Sequence, residues 1–195
     1  MLSNAHVPII GFAAWSGTGK TTLLKRVLPC LKARGLRVGV VKHAHHNFDV
    51  DHPGKDSYEL RKSGADQMLI ASRARWALMV EQPRASEPRL DEVLLEIDQA
   101  ALDLILVEGF KQERFAKIEL HRPSLRHPLL FPSDDSIVAV ASDAPLATPT
   151  ALPTLDLNDA DGIAEFIVRH TGAKGARVAS GGAGQSLPRG GAGRG

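Results

Sequence analysis

Cysteine is nearly missing from this chain, with Cys30 alone among 195 residues. One thiol forms neither an internal disulfide nor a cysteine zinc cluster, which fits a reducing compartment and makes the cytoplasm the expected location. A basic excess is missing from the body as well. Residues Gly172–Gly195 hold Lys174, Arg177, Arg189 and Arg194 and no acid, which leaves 20 bases against 22 acids before them. The pI near 8.8 therefore owes much to the tail, and net charge offers no argument for nucleic acid or an anionic membrane as partner. No Lys or Arg precedes the apolar run that starts at Val7, and no run reaches the roughly 20 apolar residues of a membrane crossing, so neither a signal peptide nor an anchor is expected. Internal repeats are absent too.

What remains has the size of one globular domain with a sizeable core. Two segments follow from composition: a folded domain over 1–171 and a tail over 172–195. The tail carries 9 of the 18 glycines and little that would repay the entropy of ordering it, so it is expected to be disordered.

Within 1–171, strand and helix patterns take turns. Val7–Ala13 and Leu36–Lys42 read as strands buried on both faces. Between them, Leu23, Leu24, Val27, Leu28 and Leu31 fall at helical spacing over Thr21–Arg34, closed by Gly35. Asp56–Ser63 reads as a helix, with Asp56 as a candidate N-cap. Gln67–Ala71 and Arg75–Glu81 read as an antiparallel hairpin. Leu90–Ala100 reads as helix, Leu102–Val107, Lys117–His121 and Ile137–Ala141 as strands, and Ala160–His170 as the last helix. Such alternation means βαβ units, hence an α/β fold with an open, mostly parallel sheet, helices on both faces and a small antiparallel hairpin. Ligands in such folds sit at the carboxyl ends of the strands.

The sharpest chemical signal lies between the first strand and the first helix, at Ala14-Trp15-Ser16-Gly17-Thr18-Gly19-Lys20-Thr21-Thr22. A phosphate loop (P-loop) needs glycines that turn successive N–H groups inward, an ammonium for the β- and γ-phosphates, a hydroxyl for Mg²⁺ and a helix N-terminus behind them. Gly17 and Gly19, Lys20, Thr21 and the helix fill those needs in order. Ser16, Gly17, Thr18, Gly19, Lys20, Thr21 and Thr22 are thus the expected nucleotide-binding residues. Ala14 stands at the first glycine of the G-x-x-x-x-G-K-[ST] pattern, a position that accepts a small residue if its φ is negative.

A metal-side acid should end a strand near the phosphates. The segment Asp103 to Gly109 offers two acids, but Asp103 lies about 16 Å upstream of Glu108, at the wrong end, and reads as a structural acid at the start of the strand. Glu108 is therefore expected to hold Mg²⁺ or orient an attacking water, and with Lys20 forms the expected catalytic pair. The loop Lys42–Ser57 emerges at the same sheet edge. There Asp49 or Asp51 is suited to complete the Mg²⁺ shell, with Asp51 joining Thr21 and Glu108 as the expected metal ligands, and Lys42 or Lys55 is suited to meet phosphate charge. His43, His45, His46 and His52 come without a second ligand cluster, which favours a solvated loop closing over phosphates above a zinc site.

The loop at Trp15–Leu24, the strand end Val41-Lys42-His43, the segment Asp51–Ser57, the turn Arg73–Leu78 and the strand Leu104–Phe110 together resemble the MobB family of molybdopterin guanine dinucleotide synthesis. The likeness runs from about Ile9 to Ile167 and leaves the tail outside. It implies GTP with Mg²⁺, slow GTP hydrolysis at most, a homodimer, and an accessory role beside the guanylyltransferase MobA, which attaches GMP to the pterin. It also carries the phosphate-loop roles onto Gly17, Gly19, Lys20 and Thr21 and the metal-side acid onto Glu108, and it accommodates Ala14.

Base choice is not legible in the same way. No Asn-Lys-x-Asp segment is present. Asp143, after a late strand at the ligand edge, is the nearest candidate to accept from guanine N1 and N2, and an ordinary turn acid before Pro145 is the competing explanation. A small-molecule kinase, or an ATP-dependent ligase of the dethiobiotin synthetase type, would share loop and sheet; it would need a deep acceptor pocket and turnover on the order of 1 per second.

Overall fold

In the computed structural model, residues 2–44, 48–82 and 86–175 are described. Eight strands and four helices appear in the order β1 (Ile9–Ala13), α1 (Lys20–Ala33), β2 (Val38–Lys42), α2 (Asp56–Lys62), β3 (Gln67–Ala71), β4 (Trp76–Val80), α3 (Leu90–Val93), β5 (Leu104–Glu108), β6 (Lys117–His121), β7 (Ile137–Ser142), β8 (Thr154–Asp156) and α4 (Ala160–Thr171). Six strands form one sheet in the order β2-β5-β1-β6-β7-β8, every neighbouring pair parallel, and β3 and β4 pair antiparallel as a separate hairpin. The α/β architecture read from the sequence is thus the observed one.

The strand pleat explains the two cores. Along β5, Leu104 and Leu106 point to one face and Ile105 and Val107 to the other, all four fully buried. Leu104 and Leu106 join Ile10, Phe12, Ile118 and Leu120 beneath α1 and α4, whose apolar stripes are Leu23, Leu24, Val27 and Leu31 and Ile163, Ala164, Phe166 and Ile167. Ile105 and Val107 pack with Val41, Leu90, Leu94 and Phe110 on the opposite face. A continuous apolar run in a central strand is what burial on both sides requires.

Two elements depart from the pattern. The helix expected over Leu90–Ala100 is one turn, α3, followed by 3-10 turns at Leu94–Glu96 and Gln99–Ala101. Gln99 explains the break: its buried amide donates to the carbonyls of Leu94 and Asn4 and accepts from the His6 N–H, so side-chain bonds to the N-terminal segment replace helical ones. The short edge strand β8 was not anticipated; three residues carry too little periodicity to be seen.

Asp103 sits where its structural reading puts it, at the start of β5. Its carboxylate takes three hydrogen bonds from Arg37, from the backbone N–H, Nε and Nη2, which hold it well below the usual carboxylate range. At the other terminus Gly172 caps α4 in the left-handed region and Ala173 is buried, so packing continues two residues past 171. Residues 176–195, on which most of the disorder expectation falls, lie outside the described residues.

Candidate functional site

Strand register places the site. Phe12 of β1 and Lys42 of β2 both stand opposite Glu108 of β5, so the carboxyl ends of three strands finish level with one another. The phosphate loop leaves β1 at that level and runs straight into α1. Gly17 has φ +78° and Gly19 φ +101°, left-handed conformations that an L side chain resists, which is the physical reason for both glycines. Ala14 is buried and is not among the described residues with positive φ, so a methyl costs nothing there. Gly19 also stands at the N-cap of α1, where no side chain caps the helix, leaving its amino end for an anion.

Four of the expected residues converge. The Thr21 hydroxyl donates to Glu108 Oε1 at 3.3 Å, and Lys42 Nζ lies 3.5 Å from the same oxygen. Lys20 Nζ donates to the carbonyls of Ala14 and Trp15 at 3.0 and 3.2 Å, folded over its own loop. Burial pushes the Lys20 ammonium below its ordinary pKa; Glu108 opposes that shift and Lys111 and Lys42 add to it. Lys42 and Lys20 beside one carboxylate, with Lys111 acting on Lys20, make a centre that gains from an arriving polyanion. One hydroxyl and one carboxylate on adjacent elements, beside a phosphate cradle, are the oxygen donors that Mg²⁺ takes when substrate phosphates supply the rest.

Gly109 lets the site close on its β2 side. At φ +100°, a β-carbon on it would lie 2.6 Å from that of His43, so only glycine allows the two strand ends to approach. His43 donates its backbone N–H to the Glu108 carbonyl at 2.8 Å, stacks on Phe110 at 4.6 Å, and places Nε2 2.7 Å from Glu87.

Asp51 has a different partner from the one expected. Its carboxylate meets Arg61 of α2 at 2.6 Å, both side chains being buried, and the same guanidinium also binds the more exposed Asp49 and Glu81. Arg61 holds the Asp51 carboxyl below its usual range; with Oδ1 taken by the guanidinium and Oδ2 buried, the side chain is poorly placed as a ligand for Mg²⁺. Lys55 stands at the N-cap of α2, with Asp56 one position later in its first turn. Among the described residues no three His, Cys, Asp or Glu side chains are grouped to hold a metal; His45 and His46 lie outside them.

Two side chains, Trp15 and Arg122, brace the loop through contacts that the sequence pattern does not show. Trp15 donates its indole N–H to the Pro128 carbonyl at 2.8 Å, stacks on His127 at 5.3 Å and has Lys111 Nζ over its ring. Arg122, directly after β6, donates Nε to the Thr18 carbonyl at 2.9 Å and forms an ion pair with Asp143. Asp143 is therefore joined to the phosphate loop through Arg122.

The family model described as MobB, molybdopterin guanine dinucleotide synthesis protein B, matches residues 9–143. The molybdopterin-guanine dinucleotide biosynthesis adapter protein of Escherichia coli K12 is 54% identical over 169 residues, 86% of this chain and 95% of that protein. The adapter protein of Haemophilus influenzae is 44% identical, covering 84% and 89%. The crystal structure of a MobB homologue from Bacillus stearothermophilus, 29% identical, superposes with a TM-score of 0.61 over 85% of this chain and 99% of that one. A correspondence that reaches from β1 to the turn after β7 and spans both the loop and the Glu108 strand places this chain in the MobB family.

Proposed function

We propose that this chain binds GTP with Mg²⁺ in the phosphate loop and serves, in the cytoplasm, as the accessory protein of a MobA-type guanylyltransferase that converts molybdopterin to its guanine dinucleotide. The observation that carries the reading is the meeting of Thr21 and Glu108 at 3.3 Å beside Lys20, at the strand ends where a triphosphate would lie. Main-chain N–H groups from Ser16 to Thr22 would hold the phosphates, with Lys20 on the β- and γ-phosphates. Thr21 and Glu108 would hold Mg²⁺, which neutralises phosphate charge when bound. Glu108, with its partners Thr21 and Lys42, is also the group positioned to orient a water, and hydrolysis is expected to be slow at most. Among the described residues no helix is long and apolar enough to cross a membrane.

Titration calorimetry with GTP and ATP, with and without Mg²⁺, followed by capture of the transferase in each nucleotide state, tests the assignment. Nucleotide-dependent capture with slow or absent turnover supports the accessory role, while phosphoryl transfer to a small molecule on the order of 1 per second would favour the kinase or ligase reading. Glu108→Gln is expected to retain Mg²⁺-free GTP binding and to lose most of the gain in affinity that Mg²⁺ gives. An unchanged gain would remove Glu108 from the metal side.

The homodimer has its own support in the β3–β4 hairpin. Its two faces carry Leu69, Leu78 and Trp76 on one side and Met68, Met79 and Ile70 on the other, with Trp76 71% and Leu69 57% exposed. A two-stranded hairpin is marginal by itself in water, and apolar residues on both its faces call for cover. A second copy is the occupant we propose. Leu78→Asp should convert the dimer to monomer in multi-angle light scattering; an unchanged mass would move the interface elsewhere.

A further inference from the structure

One cation at the carboxyl edge is not explained by the phosphate-loop motif. Arg122 faces two ways, toward the Thr18 carbonyl through Nε and toward the Asp143 carboxylate through Nη1. Register makes the second pairing follow from the fold: His121 stands opposite Ser142, so the residues that follow β6 and β7 emerge side by side. A β-carbon at Gly19 would lie 3.9 Å from Nη2, so the same guanidinium borders the next residue of the loop as well.

The peptide joining Thr18 to Gly19 is planar and trans, so its C=O and N–H point in opposite directions. Fixing the carbonyl on Arg122 fixes the Gly19 N–H on the other side. Glycine at 19, on one side of this peptide plane, lowers the intrinsic resistance to its rotation, so an outside anchor is required. Thr18 contributes a second anchor, its hydroxyl donating to the Trp15 carbonyl at 2.9 Å. The carboxylate of Asp143, itself on a strand end, keeps the guanidinium from following its long stem into water.

We propose that Arg122 is a positioning residue of the phosphate loop: it holds the Thr18 carbonyl outward, with Asp143 holding it in turn, so that the Gly19 N–H is presented to the phosphates. This rests on the GTP-binding reading above and deepens it. It gives Asp143 a task that is blind to the base, in contrast to direct recognition of guanine, under which Asp143→Asn would weaken GTP relative to ATP.

The test is a double-mutant cycle of Arg122→Gln and Asp143→Asn, with Arg122→Lys alongside, each titrated with GTP and with ATP in Mg²⁺. Arg122→Gln is expected to weaken both nucleotides by a common factor of about 10, the scale of one charge-assisted hydrogen bond. Asp143→Asn should weaken both by a smaller common factor, and the double variant should be no worse than Arg122→Gln. Arg122→Lys, which keeps the charge but not the fork, should recover part of the loss. In ¹⁵N-labelled protein saturated with GTP, the Gly19 amide signal should shift downfield in the native chain and less in Arg122→Gln, a change that general loosening of the fold would not confine to that residue. A GTP to ATP ratio altered by Asp143→Asn while Arg122→Gln stays neutral would overturn the inference in favour of base reading. Additive losses in the double variant would also overturn it, by making the two contacts independent. Binding of neither nucleotide by the native chain would bring down the GTP reading itself and this inference with it.

Discussion

Lys20→Ala is expected to abolish measurable triphosphate binding while leaving the fold in place. The ammonium would make charge-assisted contacts to two phosphates, each worth about 1.5–3 kcal/mol, so affinity should fall roughly 100-fold or more. The folded state asks little of this side chain: its hydrogen bonds go to the Ala14 and Trp15 carbonyls of its own loop. Removing it also relieves repulsion from Lys42 and Lys111, two of the charges that with burial press on its protonated form. The thermal midpoint without nucleotide should therefore stay within a few degrees of the native chain, while the upward shift given by saturating GTP and Mg²⁺ disappears. Calorimetric titration and a thermal melt on the same sample separate the two effects. Native affinity in Lys20→Ala would sink the phosphate-loop assignment, because no other residue of the loop carries a full positive charge.

The phosphate loop and Glu108 were legible in the sequence for a common reason. Each is a local pattern attached to a strand end: glycines at fixed spacing before an amphipathic helix, and an acid closing an apolar run. Strand polarity then tells which end meets the ligand, which separates Glu108 from Asp103, and the Arg37 bonds to Asp103 agree. Arg122 and Trp15 were not legible in that way, since their roles depend on which strands lie side by side. Arg122 meets Asp143 only because β6 and β7 are neighbours in the His121 to Ser142 register, and meets Thr18 only because β6 lies next to β1. The fate of Asp51 is likewise tertiary. Arg61 reads as an ordinary helix residue until α2 packs it between the Lys42–Ser57 loop and the end of β4, where it gathers Asp49, Asp51 and Glu81. The broken helix after Leu90 belongs with these, because Gln99 finds its partners in the N-terminal segment, more than ninety residues away in sequence.

Glu119→Ala should be the most destabilising single change near the site, and it bears on the phosphate loop at a distance. Glu119 lies in β6 with no solvent exposure, and its two oxygens accept the backbone N–H groups of Leu130 and Phe131 at 2.8 and 2.9 Å. Alanine leaves two partly buried donors without their acceptor, each costing about 1–3 kcal/mol, so a loss of roughly 2–5 kcal/mol is expected. In a chain of this size that lowers the thermal midpoint by about 5–15 °C. The segment so released carries His127 and Pro128, which hold Trp15 by stacking and by its indole hydrogen bond; tryptophan emission should therefore redden in the folded variant, with Trp76→Phe as background to isolate Trp15. Acidity supplies an independent check. Burial raises the Glu119 carboxyl above its ordinary 4.5, outweighing the two N–H donors that pull it down. Between that value and the raised one the native state binds more protons than the unfolded state, so this group's contribution to stability falls as pH rises through the window, the reverse of Asp103, whose contribution is lost as pH falls. Glu119→Gln has no such proton to bind. Its deficit against the native chain should be largest at acid pH and shrink as pH climbs through the window; a deficit that grows with pH instead would mean the two N–H donors, not burial, govern the carboxyl.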